Sequence, residues 1–394
     1  MDSNTHFKHF DMVLKLALVF AMLLKSTSFS TLRRARTGSI RQASHVTPFY
    51  IAYPPLVRKS LDNDTFTEMH RRRSPKTMYI PVSQGTKVIV KDLGGSKFEQ
   101  MFLTGAELVV EPEDDTCIYL GQRDDMDFVA VDFAKGRTLP ESMKNTVIKL
   151  LRDVSEKIED EDAVAIMSHA VGMTTWHSKT SFCCSCGAPL ESRRGGSMKK
   201  CTNEDCRASA YPRIEPAVIM MVQSECGQHC LLGRKETWAQ GRYSCLAGFL
   251  DVGETLEQCV ERETFEEAGV LLHEDSVKYI YSQPWPFPSS LMLGYTATAR
   301  HPHAEVDAEV KAELLPTIDF DPRELSDCKW FSREEVKRAL EYSPGSTALN
   351  DFTPTAQEIQ LHFPGKSSLA RRLVRLWVEE GDANDAAPDA EVGK

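Results

Sequence analysis

Glu263, Glu266 and Glu267 are residues whose types and spacing could do chemistry. They fall on a stretch with both ends marked. Thr255 followed by Gln258 is a capping box that opens a helix, and Gly269 suits the left-handed position that closes it after Ala268. At 3.6 residues per turn Leu256 and Val260 share a stripe; Glu263 and Glu267 continue it, with Glu266 beside them. Carboxylates three and four positions apart repel, and burial on a core-facing stripe raises the cost. A hard divalent cation, Mg²⁺ or Mn²⁺, offsets both effects and keeps coordination sites for water and substrate phosphates. The alternative is a solvated acidic helix face. Gly248 and Gly253, just upstream, mark a loop that needs backbone freedom.

A second segment, Ser282 to Ser290 (SQPWPFPSS), alternates proline with aromatic residues. Proline removes backbone donors and fixes φ, so the stretch reads as a stiff loop and not as a central strand or helix interior. Stiffness lowers the entropy cost of presenting Trp285 and Phe287 to a flat base. Stacking on such a face contributes roughly 1–3 kcal/mol per base. A proline-locked loop with buried aromatics is the competing reading. A third set is Cys183-x2-Cys186, fourteen residues, then Cys201-x4-Cys206. Four thiolates on two knuckles suit tetrahedral Zn²⁺, and with no position left for water the site is structural. Cys184 lies between ligands and should point elsewhere. The rival is a ribbon that touches nucleic acid, since Arg193, Arg194, Lys199 and Lys200 crowd nine residues.

With Gly248 and Glu254, the run Arg262-Glu263-x-x-Glu266-Glu267-x-Gly269-Val270 resembles the Nudix box of nucleoside-diphosphate-linked hydrolases. One position departs: Thr264 stands where that family has an aliphatic residue that packs the helix. The proline-rich segment is similar to the signature of the NADH pyrophosphatase subfamily, and the likeness runs from about Thr175 to Glu380. The resemblance implies metal-dependent hydrolysis of the pyrophosphate of NAD(H), giving NMN(H) and AMP. It implies that the Ala247 carbonyl, Glu263, Glu266, Glu267 and the later Glu324 hold Mg²⁺ or Mn²⁺, while Arg262 pairs with Glu254 to brace the loop. It places Tyr211, Gln283, Pro284, Trp285, Pro286, Phe287, Pro288, Ser289, Ser290 and Ala370 against the substrate, with Phe249 a further stacking candidate. Another dinucleotide, or the NAD cap of an RNA, is the alternative substrate. A zinc-ribbon/Nudix binding module is the alternative outside catalysis. A homodimer follows from the resemblance only.

The elements that must position these residues are laid out in order. A chain of 394 residues with 41% hydrophobic and 26% charged residues suits two globular domains plus extensions. Its net charge of −10 argues against a dedicated nucleic-acid binder but not against a small polyanion held through metal. The eleven cysteines, four of them in a ligand pattern, indicate a reducing compartment, and the remainder read as small core or surface thiols.

Residues 1–54 read as a targeting leader. An apolar run at 12–24 is too short for a comfortable span, and an acid-free, Arg- and Ser-containing stretch follows. The pair resembles the bipartite leaders of plastids, with a mitochondrial presequence or a membrane anchor as alternatives. The last residues, Val392-Gly393-Lys394, are not a peroxisomal tripeptide.

The expected fold class is α+β. Residues 55–179 form an N-terminal mixed domain, with strands at Met78–Val82, Lys87–Val90, Glu107–Val110, Cys117–Leu120 and Phe128–Phe133 and an amphipathic helix over Leu139–Ile158. Within it, Arg71-Arg72-Arg73 reads as a solvated basic turn, with phosphate binding the rival. Residues 180–211 form the zinc ribbon and 212–380 a Nudix α/β/α sandwich whose strands include Pro216–Val222, Cys230–Leu232 and Ser244–Ala247. Residues 381–394 are a small, acidic, disordered tail.

Overall fold

The run Glu215–Gln223 (β11) is apolar without alternation, and it is buried on both of its faces. That is the signature of a strand covered on two sides. The protein is seen in a computed structural model that describes residues 56–58, 62, 65–67, 74–108, 117–133, 143, 145–301, 314–342 and 361–386. The leader at 1–54, the Arg71–Arg73 turn and residues 387–394 lie outside them. Among the described residues no helix is long and apolar enough to cross a membrane.

The N-terminal domain is built on a seven-stranded sheet. Its strands are β1 (Thr77–Ser83), β2 (Lys87–Gly94), β3 (Lys97–Gln100), β4 (Leu103–Thr104), β5 (Cys117–Arg123), β6 (Met126–Asp132) and β7 (Thr146–Leu150). The order is β3-β2-β1-β6-β5, with β7 on β2 and β4 on β1. Two expectations fail here. Glu107 and Leu108 lie in a turn and its exit, because Glu107 folds back to accept from the Thr104 amide at 2.9 Å. The helix expected over Leu139–Ile158 is a strand at Thr146–Leu150, and helical turns begin only at Leu151. The β-branched Thr146, Val147 and Ile148 pair with β2, and only Leu151–Val154 (α1) is α-helical.

The domain's long helix, α2 (Glu161–Lys179), comes later and was not expected. Asp160 caps it by accepting from the Ala163 amide at 3.0 Å, and Glu161 and Asp162 complement its positive end. Val164, Met167 and Val171 pack it on the face of the sheet that carries Ile80, Val82, Val88 and Phe128. Tyr79, Ile89 and Val129 face a second cluster on the opposite side.

The ribbon strands β8 (Leu190–Arg193), β9 (Met198–Cys201) and β10 (Ser209–Ala210) follow. Their turn is clamped to β5. Gly195 accepts from the Tyr119 amide at 2.7 Å, and a Cβ at Gly196 (φ +88°) would meet Ile118 at 2.9 Å.

The C-terminal sheet holds β11, β12 (His229–Arg234), β13 (Leu246–Phe249), β14 (Lys278–Trp285), β15 (Ser290–Thr298) and β16 (Asp327–Ser332). Its order is β14-β15-β11-β12-β16, with β13 paired to β11. β11 and β15 run parallel, and the other pairings are antiparallel. Val218, Met220 and Val222 of β11 point to α3 (Leu256–Ala268). Ile219 and Met221 point the other way, to α4 (Arg333–Tyr342) and α5 (Leu369–Ala386), where Val336, Leu373 and Trp377 meet them. This period-2 division of one strand puts helices on both faces of the sheet. The last helix also corrects the expected tail: it runs on through residues 381–386.

Candidate active site

The acidic helix α3 is capped as its residues require. Thr255 Oγ accepts from the Gln258 amide at 3.2 Å, and Gln258 returns the contact to the Thr255 amide at 2.9 Å. Gly269 closes it in the left-handed conformation at φ +69°. Thr264 is fully buried and turns its hydroxyl onto the Val260 carbonyl at 2.7 Å, so the helix core accepts a polar residue at this position.

The three glutamates divide by environment. Glu267 is 2% exposed, and burial pushes its carboxyl up to about 7. The Ala247 amide donates to it at 3.3 Å, and the Lys235 charge opposes the shift. Glu263 is mostly buried and is also pushed up, again chiefly by burial. Glu266 stands in solvent.

Arg262 gathers this cluster. It donates to Glu254 at 2.6 and 2.9 Å, to Glu263 at 2.9 Å, to Glu266 at 2.8 Å and to the Phe249 carbonyl at 2.9 Å. Its guanidinium holds the Glu254 carboxyl down at about 2. Glu254 in turn accepts from the Asp251 amide at 2.7 Å, which braces the loop before the helix. Gly248 leaves the space that Glu263 fills: a Cβ there would stand 1.8 Å from the Glu263 carboxyl carbon. Glu324 is exposed in a turn, yet its charge reaches both Glu263 and Glu267.

A cavity of about 300 Å³ opens beside this cluster and is lined by Ala247 and Glu267. Gln283, Trp285 and Ala370 line it as well. The proline-rich segment is only partly the loop it was expected to be. Ser282 to Trp285 belong to β14, and a strand accepts Pro284 here because β14 is at the sheet edge. Gln283 is 4% exposed and ties this edge to the start of α5, donating to the Ser367 carbonyl at 2.9 Å and accepting from the Leu369 amide at 3.0 Å.

Pro286 packs on α2 at Gly172. Trp285 and Phe287, edge to face at 5.4 Å, pack against the N-terminal core. The buried-aromatic reading thus accounts for Phe287, whereas Trp285 reaches both that core and the cavity. Pro288 and Ser289 turn the hairpin, and Ser290 is buried at the start of β15. Tyr211 (56% exposed) and Phe249 (58% exposed) do not line the cavity: one sits in the surface link after the ribbon, the other at the outer end of β13.

Sequence reasoning missed Arg152, Lys235, Trp238 and Arg242, which also line the cavity. The last three sit between β12 and β13, a stretch with no motif of its own. Arg152 comes from α1 in the N-terminal domain, and no local signal marks it.

In the ribbon, Cys183 and Cys206 bring their sulfurs to 3.8 Å, and Cys186 and Cys201 to 3.4 Å. Four thiols at a tetrahedron's edge spacing fit Zn²⁺. Among the described residues these four alone present ligand atoms all within 4.8 Å of one another; the glutamates spread wider, with Glu263 and Glu266 turned onto Arg262. Cys184 is exposed and outside the set. The basic run is partly consumed inside the fold. Lys199 is buried and donates to the His177 and Thr180 carbonyls at 2.9 and 2.7 Å, whereas Arg193 pairs with Glu191 at the surface.

A family model for the NUDIX domain matches residues 213–352. The NAD-capped RNA hydrolase NUDT12 of Homo sapiens is 34% identical over 224 residues, covering 55% of this chain and 42% of that protein. The mitochondrial NAD(P)H pyrophosphatase NUDT13 of Mus musculus is 34% identical over 224 residues, covering 57% of each. The chain thus spans about half the length of these two relatives. The chloroplastic Nudix hydrolase 19 of Arabidopsis thaliana is 31% identical over 359 residues, covering 79% of this chain and 78% of that one. Identity of that order, sustained across most of both chains, with the NUDIX model spanning the helix that carries the glutamates, makes this protein a member of the Nudix hydrolase family.

Proposed function

We propose that the protein hydrolyses the pyrophosphate of NAD(H), giving NMN(H) and AMP. The observation that carries this reading is one cavity lined both by Ala247 and Glu267 and by Gln283 and Trp285. The first pair belongs to the acidic cluster and the second to a base-stacking segment.

The acidic residues suit a hard divalent cation. Glu267 is a buried carboxyl with one long amide contact, and Glu263 is nearly as enclosed. Their negative charge is costly there without a cation. Glu263, Glu266 and Glu267, with the Ala247 carbonyl and Glu324, would hold Mg²⁺ or Mn²⁺. Such ions, when bound, polarise phosphoryl oxygens and lower the pKa of a bound water. The protein's own residues do the positioning. Arg262 fixes Glu263 and, through Glu254, the loop beside it. Trp285 offers a flat face, and Gln283 locks the strand that carries it to α5.

Release of AMP from NADH, NAD⁺ and ADP-ribose, and of NMN with a 5′-monophosphorylated RNA from an NAD-capped RNA, with Mg²⁺ or Mn²⁺ supplied, tests the assignment on the full chain. AMP with NMN(H) is the expected product pair, and no release from any of the four ends the proposal. Cap removal from RNA is the second reading, favoured by the NUDT12 relative. The internal engagement of Lys199 weighs against the ribbon as its RNA contact. A binding module without catalysis is opposed by the complete glutamate set.

Structural Zn²⁺ on Cys183, Cys186, Cys201 and Cys206 belongs to the same proposal. Cys201 is buried, so Cys201→Ser is expected to lose the metal and several kcal/mol of ribbon stability. Metal content per chain and thermal unfolding check this; full zinc occupancy in the variant would refute it. A plastid is the proposed destination, in line with the leader and the chloroplastic relative, with the mitochondrion second. A homodimer is the proposed assembly.

A further inference from the structure

One flank of the cavity is made by Ser367, Ser368, Leu369 and Ala370, the lead into α5 and its first residues. Ser367 is held from two directions. Its carbonyl accepts from Gln283 of β14 at 2.9 Å. Its amide donates to Glu156 at 2.7 Å, and its hydroxyl donates to the same carboxylate oxygen. Glu156 lies in the helical turn Ser155–Lys157 of the N-terminal domain, 211 positions earlier in the chain, and does not itself line the cavity.

Two donors on one charged oxygen fix the direction of Ser367 as well as its place. Gln283 passes the constraint on, because its side-chain oxygen accepts from the Leu369 amide at 3.0 Å. Ser368 then caps α5, its hydroxyl accepting from the Arg371 amide at 3.3 Å. The strand that carries Trp285 and the start of α5 are thus tied to one residue, and that residue is anchored in the other domain. The remaining contact on this flank is apolar: Pro286 meets Gly172, and Trp285 and Phe287 pack on the N-terminal core. Apolar burial is non-directional, so it holds the domains together without setting their register. The carboxylate supplies the register.

We propose that Glu156 is a positioning residue for the substrate: through Ser367 and Gln283 it sets the flank of the cavity against which the dinucleotide lies. A domain with no member of the acidic cluster thereby takes part in binding. The inference rests on the dinucleotide reading above. Glu156 also carries a charge, which reaches the buried Arg371 guanidinium and opposes the downward push of burial and of Arg375. Glu156→Gln separates the two contributions, since it keeps an acceptor oxygen and loses the charge.

The test compares kcat and KM of the full chain on NADH, with Mg²⁺ supplied. Glu156→Ala should raise KM about tenfold and leave kcat within about threefold, because Glu263 and Glu267 keep their places on α3. Glu156→Gln should stay within about threefold of wild type in KM, and Ser367→Ala, which keeps the amide, should fall between the two. Combining Glu156→Ala with Ser367→Ala should cost no more than Glu156→Ala alone. An unchanged KM in Glu156→Ala, a loss confined to kcat, or a Glu156→Gln variant as impaired as Glu156→Ala overturns the proposal. If Glu156→Ala does not fold, the other two decide: a KM raised in Ser367→Ala above that of Glu156→Gln supports the positioning role, and the reverse order refutes it. Calorimetric binding of NADH without added metal keeps this inference apart from the hydrolase reading. Glu156→Ala should bind about tenfold more weakly than wild type. Binding that ignores Glu156 removes this inference alone, whereas no binding by the wild type removes the dinucleotide reading and this inference with it.

Discussion

Glu267→Gln is expected to lower turnover on the order of 10³-fold while the fold survives. The glutamine is nearly isosteric, so the packing around a side chain 2% exposed is kept. What goes is the charge that a divalent cation needs. The stability consequence has a definite sign. Burial raises the Glu267 carboxyl from the ordinary 4.5 to about 7, so folding favours the protonated form. Its contribution is full below pH 4.5 and is lost as pH rises through about 7. The metal-free variant should therefore unfold at a temperature no lower than wild type at pH 8, and relatively higher there than at pH 5. Steady-state turnover with saturating Mg²⁺ or Mn²⁺, and melting curves at the two pH values, check both halves. Full activity would place the metal site elsewhere.

Gly248→Ala is expected to cost about 10²-fold in turnover for a small loss of stability. The added methyl would stand 1.8 Å from the Glu263 carboxyl carbon and 2.1 Å from both carboxyl oxygens. Those atoms are the far end of a flexible side chain, so the side chain swings away and the backbone stays. The helix keeps its caps and its packing, and Glu263 loses its place beside Glu267. A melting temperature within a few degrees of wild type together with the loss of rate is the expected signature. A variant as active as wild type would show that Glu263 works from another position.

The contrast between these residues and the rest of the cavity shows what could be read in advance. The capping box at Thr255, the stripe through Val260 to Glu267 and the paired cysteines are all short-range patterns, and each appears where its spacing put it. The helix Glu161–Lys179 was missed because Ala163 to Ser168 are all buried, so no polar face alternates with an apolar one. The apolar spacing of segment 146–150 suits either period, and its β-branched residues and the partner strand β2 decide for strand. Arg152 and Arg242 are ninety positions apart, and neither sits in a motif. Only the packing of one domain on the other brings both to one cavity. Docking of Trp285 and Phe287 on the N-terminal core was hidden for the same reason.

Arg152 on the cavity and Glu156, which accepts from the Ser367 amide at 2.7 Å, come from one short stretch ahead of the cysteines. Excising the catalytic module at residue 212 would therefore strip away part of its own active-site wall and the latch on its final helix. A substitution in a half of the protein that carries no glutamate of the box can therefore reshape the cavity beside Glu267.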